Sequence, residues 1–312
     1  MSATDDRIGT GLPGKAGAIP MPREVAGARS RASAPPVPAD RRVRPLGVIA
    51  ACIRRDAADA WSYRLPFAWR FVEMFTALFM LFFLSRLVGN RIEVLAGTTL
   101  AGGYFAFAVL GTALVAIVHG AMTSFASRLR SDQTTGTLEA MLSTPSPPWL
   151  TIVGGSSYGI LQLLAIELVT LGVAVGVFRM RLDARPLGLV VLVVGMVVIL
   201  ALFVAFGLLV TAFIVVFKRG QGVATLVVSV FSLLGGVYYP LSVLPPTLRT
   251  LGEAIPFTWA VDLVRGSLVY GQVPVARLGE LASVDVVIIP IAIWVLGKSI
   301  HRTRRTGTLG QY

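Results

Sequence analysis

Charge, cysteine and histidine are all scarce in this sequence. Only 14% of its 312 residues are Asp, Glu, Lys or Arg, and 55% are hydrophobic, whereas a soluble domain carries roughly a quarter charged residues. A soluble enzyme is thereby excluded. The single cysteine, Cys52, has no second cysteine to pair with, and the two histidines, His119 and His301, make no zinc-binding spacing. No nucleophile, base and orienting group form a set. Neither a metal site nor catalysis by this chain is expected.

The missing charge is missing in blocks. Val94–Ser127, Ala140–Ile166, Pro186–Phe217 and Gly220–Leu248 contain no Asp, Glu, Lys or Arg, and each exceeds the ~20 residues that a membrane-crossing helix needs. Six spans are expected, at about Phe67–Val88, Thr98–Met122, Leu150–Phe178, Pro186–Phe217, Gln221–Tyr239 and Leu281–Ile300. Ahead of them, residues 1–44 are rich in Pro, Gly, Ala and Arg and poor in large apolar side chains, the composition of a disordered tail. From Leu46 to Trp61, Ile49, Ile53, Ala57 and Ala60 share a helical face opposite Arg55 and Asp59, which predicts an amphipathic helix at the headgroup level. A soluble helix docked on another chain is the other reading of that pattern.

The net charge of +12 would suggest nucleic acid in a soluble protein. Beside apolar spans it is first a topology signal, and no nucleic-acid partner is expected. Placing both termini in the cytoplasm puts 20 Lys and Arg inside against 8 outside, and 12 against 8 when everything before Arg54 is set aside. A cell-membrane protein with cytoplasmic termini is the favoured reading. Gly9–Ala16 comes close to a phosphate-binding loop, but Ala16 stands where magnesium needs a hydroxyl, and no apolar strand precedes it. No ATP site is expected in this chain.

Two connections carry more pattern than loops require. After the second span, Gly136–Pro145 reads GTLEAMLSTP: Thr137 caps a short helix, Leu138, Met141 and Leu142 form its apolar face, and Pro145 ends it. After the fifth, Gly235–Gly266 is too apolar for a free loop and is cut into short helices by Pro245, Pro246 and Pro256. Both resemble the permease subunits of ABC-2-type transporters, in the TLE…TP run of the first and the aromatic-Pro, Leu-Pro and terminal Arg-Gly order of the second. The resemblance covers roughly Leu46–His301.

The resemblance implies an all-α transmembrane domain over residues 45–312, with six spans, an N-terminal interfacial helix and re-entrant helices at the outer face. It implies that Gly136, Thr137, Leu138, Glu139, Leu142 and Pro145 contact a separate cassette ATPase, which would hold ATP and magnesium, present in two copies beside two permeases, the second identical or different. It also implies an outer lid over the exit, with Tyr239, Pro240, Pro245 and Arg265 as the residues of a gate.

Within the third span, Gly155/Gly159 and Gly172/Gly176 are each one turn apart, a small-residue pattern suited to close helix packing, with Gln162 able to hydrogen-bond across the contact or to line a path. Glu167 stands off that pattern in the outer half of the span. An ionisable group at such depth faces protein or water, either lining the export path or pairing with an outer-loop arginine. Glu73 has Arg70 one turn earlier as a local ion-pair partner. Arg179, Arg181 and Arg185 in the following turn either snorkel or receive an anionic headgroup.

Three functions follow in order: an ABC exporter permease moving a drug-like natural product, lipid or lipid-linked glycan; a membrane enzyme acting on lipid-linked substrates; or an ion-coupled carrier using Glu73 or Glu167 as a proton relay.

Overall fold

In the computed structural model, the described residues are 45–61, 65–89, 103–134, 148–217 and 221–305. Among them the regular structure is entirely helical: α1 Pro45–Trp61, α2 Leu65–Val88, α3 Gly103–Thr134, α4 Pro148–Gly176, α5 Pro186–Phe217, α6 Gln221–Leu234, α7 Pro246–Ala254, α8 Pro256–Leu268 and α9 Val275–Arg305. They belong to one unit, Val43–Tyr312. Prolines open α7 and α8 at positions where a helix has no use for the missing N–H. The expected tail, residues 1–44, and the expected coupling run, Gly136–Pro145, lie outside the described residues.

Five helices, α2, α3, α4, α5 and α9, contain stretches long and apolar enough to cross a membrane. The fifth expected span is helical over part of its length. In place of Gln221–Tyr239 stands the 14-residue α6, ~21 Å long at ~1.5 Å per residue, against a hydrocarbon core of ~30 Å. Gly235 and Gly236 stop it, the latter at φ +70°, a backbone conformation that favours glycine.

The core is built around α3. Tyr104–Gly111 are all buried, and α3 packs on α2, α4, α5, α6 and α8. The longest packed pair is α5 with α9, where Ala205, Leu208 and Ala212 meet Ala292, Leu296 and Ile300 beside Phe125 of α3. Two aromatic groups lock the opposite end. Phe82, Phe105 and Phe178 join α2, α3 and the end of α4. Phe203, Phe231 and Phe257 join α5, α6 and α8.

The amphipathic α1 packs on the beginning of α4. Gly154 makes the approach possible, because a Cβ there would stand 3.3 Å from Cys52 Sγ. Arg128 of α3 reaches Asp56 of α1 at 3.9 Å.

Candidate functional site

Where α6 ends, its last carbonyls lose their helical partners. In a low-dielectric setting each needs another donor. Tyr239 Oη donates to Leu233 O at 2.6 Å. Arg265 of α8 serves the turn that follows: Nη1 donates to Gly236 O at 2.8 Å, and Nη2 to Val237 O at 3.0 Å and to Phe107 O on α3 at 2.8 Å. Its guanidinium also lies over the Phe107 ring, 3.4 Å from the centroid.

One side chain thus pins the break after α6 to the core helix and to the re-entrant α8. Gly111, one turn after Phe107, leaves the room for it, since a Cβ there would be 2.7 Å from Nη2 and 2.8 Å from Val237 O. Arg265 is only 6% exposed. Burial pulls its pKa down to about 9, opposed by nearby Tyr270, Asp262 and Tyr104, so it is cationic at neutral pH. Its Nε has no hydrogen-bond partner among the described residues.

Beside this strut lies a cavity of about 540 Å³ whose wall includes Gly236, Pro240, Asp262, Arg265, Tyr270 and Arg277. Arg277 bridges Asp262 at 3.2 Å and Glu280 at 2.7 Å, which ties α8 to α9. Burial raises the Asp262 carboxyl, while Arg277 and Arg265 pull it back down.

A second hollow, of about 320 Å³, lies deeper among α2, α3 and α4. Arg70, Glu73, Thr112, Glu167 and Thr170 are its polar wall. A third, of about 290 Å³, is almost wholly apolar and sits among α3, α4, α5 and α8. The two share Val109, Ala113 and Glu167, so the Glu167 side chain stands between them.

The structure therefore sorts the residues expected on a path or gate. Tyr239, Pro240 and Arg265 meet at the break after α6. Pro245 stands apart, exposed, at the N-cap of α7, its carbonyl accepting from Arg249 N. Glu167 lies at the deeper hollows. Gln162 is half-buried and lines none of these three cavities. Of the glycine stripe, Gly155 packs against Arg128 of α3, whereas a Cβ at Gly159, Gly172 or Gly176 would meet open space within the chain.

The local ion pair expected between Arg70 and Glu73 is not among the salt bridges of the described residues; Glu73 instead shares the deeper hollow with Glu167. Arg179, Arg181 and Arg185 are exposed. Phe107 and Gly111 carried no polar signal and were not foreseen. Asp285, a buried carboxylate in α9 with Oδ1 unpartnered among the described residues, was signalled by a charge inside the expected sixth span and was passed over.

Comparison with known proteins bears on the whole assembly. The sequence model of the ABC-2 type transporter family matches residues 48–269, from α1 to the end of α8. The inner membrane transport permease YadH of Escherichia coli K12 is 26% identical over 222 residues, covering 71% of this chain and 83% of the relative. The proteins of that name from Escherichia coli O157:H7 and Shigella flexneri match to the same extent.

Proposed function

Because this chain belongs to the ABC-2 type transporter family, we propose that it is the permease subunit of an exporter, moving an amphipathic substrate outward on ATP hydrolysed by a separate cassette ATPase. The observation that carries the reading is the extent of the family match, which runs from α1 through the Gly136–Pro145 run to the outer break held by Arg265. ATP and magnesium belong to the ATPase. The permease works as a pair, with one ATPase beneath each copy. Both termini are cytoplasmic, in keeping with the lysine and arginine count.

In this reading the short helix of Gly136–Pro145 sits in a cleft of the ATPase. Its apolar Leu138 and Leu142 seat it, while Thr137 and Glu139 make the polar contacts. Closure of the ATPase dimer pushes that helix as a rigid lever, and the displacement travels up α3 and α4. At the outer end the same α3 carries Phe107, which Arg265 joins to α8 and to the break after α6. A shift of α3 therefore has a direct mechanical route to the outer cavity.

Membrane vesicles holding the full chain and its cassette ATPase are expected to accumulate substrate on addition of ATP. Leu138→Pro or Glu139→Arg is expected to abolish both this accumulation and co-purification of the ATPase, with membrane insertion unchanged. Uphill transport by the permease alone would overturn the reading.

A further inference from the structure

The deeper hollow has an unusual balance of polar atoms. Thr112 Oγ1 donates to Ala108 O and Thr170 Oγ1 to Ile166 O, each at 2.9 Å. With their protons engaged inside their own helices, both hydroxyls turn only lone pairs toward other groups. Glu73 and Glu167 add two carboxylates. Neither takes part in any salt bridge or side-chain hydrogen bond among the described residues. Among the described residues, Arg70 is the one cation on the wall. With both carboxylates ionised, one negative charge is left uncompensated, in a setting where an unpaired charge is costly.

The neighbouring hollow supplies the complement. Its wall beyond Glu167 is formed by side chains such as Leu114, Leu168, Leu192 and Met196, and it ends against Val264 and Leu268 of α8. A carboxylate that stands between an acceptor-lined chamber and an apolar one matches a molecule with a cationic head and an apolar body. The two volumes, about 320 and 290 Å³, fall at the lower end of the range that holds drug-sized ligands.

We propose that the paired hollows form one binding slot for a monovalent amphipathic organic cation, with Glu73 and Glu167 facing its charge and the chamber beyond Glu167 enclosing its body. The proposal names a substrate class for the permease reading and rests on it. A neutral lipid would gain nothing from the carboxylates, and an anionic one would be repelled by them.

Equilibrium dialysis of tetraphenylphosphonium against the purified full chain, with empty micelles subtracted, tests the slot without any ATPase. Tetraphenylborate serves as the probe of the same shape and opposite charge. Saturable binding of the cation is expected, weakened up to about fivefold by Glu167→Gln and by Glu73→Gln, a factor that a single screened charge contact can supply. Arg70→Gln is expected to tighten it severalfold, a gain that misfolding cannot produce. Saturable binding unchanged by all three substitutions would mean that any apolar body, a lipid chain included, fills the slot, and would overturn the proposal. So would saturable binding of tetraphenylborate that survives in the wild-type chain and tightens in either glutamine variant. Absence of any cassette ATPase co-purifying with the wild-type chain sinks the permease reading by a separate measurement and leaves the cation result standing.

Discussion

At the scale of single residues, Arg265 decides how the break after α6 is held. Three carbonyl oxygens from two parts of the chain converge on its two terminal nitrogens, and no other side chain in the described residues is recorded as donating to them. Removing the guanidinium takes the donor from Gly236 O and Val237 O, at ~1–3 kcal/mol for each one fully unsatisfied, while Phe107 O keeps its place in the helical ladder of α3. Arg265→Met is therefore expected to cost roughly 2–4 kcal/mol, read as a drop of several degrees in the apparent melting temperature of the purified chain. Arg265→Lys is expected to recover only part, since an ammonium cannot present the flat fork that spans Gly236, Val237 and Phe107. An unchanged melting temperature in both variants would remove Arg265 from this role. The sequence singled out Arg265 as part of an Arg-Gly pair, but assigned it to a gate. Its action as a strut depends on Phe107, 158 positions away, and no local pattern reports a partner so distant.

Glu73 shows the same limit from the other side. One turn from Arg70, its local spacing predicts a self-satisfied pair. What overrides that spacing is the packing of α2 against α3 and α4, which puts both residues on the wall of one hollow with Glu167. Helical periodicity tells which residues share a face, but not which face a neighbouring helix will cover.

At the scale of elements, the contact between α1 and α4 separates packing from charge. The Asp56–Arg128 bridge is long, at 3.9 Å, and partly exposed, and such pairs contribute ~1 kcal/mol or less. The close approach at Gly154 is what allows α1 to lie against the beginning of α4. Gly154→Leu is expected to lift α1 away and speed the labelling of Cys52 by a maleimide severalfold, whereas Asp56→Asn should alter the rate little. Cys52 is the only cysteine in the chain, so no background thiol confuses the measurement. If Asp56→Asn released Cys52 as fully as Gly154→Leu, the bridge rather than the packing would hold α1.

Element boundaries were legible wherever proline or a long uncharged run marked them. α5 begins at Pro186 and ends at Phe217 as expected, and α7 and α8 begin at their prolines. The sequence misled at α6. Its apolar run continues through Val237, Tyr238 and Tyr239, so hydropathy alone carries the span on to Tyr239. The backbone turns away at Gly236, and the side chains of Tyr239 and Arg265 make that turn tolerable by satisfying the freed carbonyls. Hydropathy sums side-chain preferences and carries no term for where backbone oxygens find their donors.

At the scale of the whole molecule, residues 1–44 and the membrane unit differ sharply in composition. Residues 1–44 carry few large apolar side chains, so they are expected to add little to the packing of the helices. A chain that begins at Val43 is accordingly expected to insert and to melt at the same temperature as the full chain, with thermal unfolding in detergent as the check. A large destabilisation would show that the tail contributes to the fold.

The exposed apolar surface of α2 and α4 also belongs to this scale. Trp69, Phe79, Phe83 and Leu87 on α2, and Leu161 and Leu168 on α4, remain exposed within one chain, which is ordinary for surfaces that face lipid and leaves room for the second permease of the proposed pair. α3 is the opposite case, covered by other helices over most of its length.

By itself the sequence determined that the chain is helical, that it lives in a membrane and that it belongs with ABC-2 permeases. Those conclusions rest on composition, on the length of uncharged runs and on short proline-marked motifs, all of them local in the chain. Only the tertiary structure decided that the helix α6 ends at Leu234, that Arg265 braces α3, α6 and α8, and that Glu73 joins Glu167 across α2, α3 and α4. Each of these depends on side chains far apart in sequence, and on buried polar atoms that must find partners once lipid and neighbouring helices have replaced water.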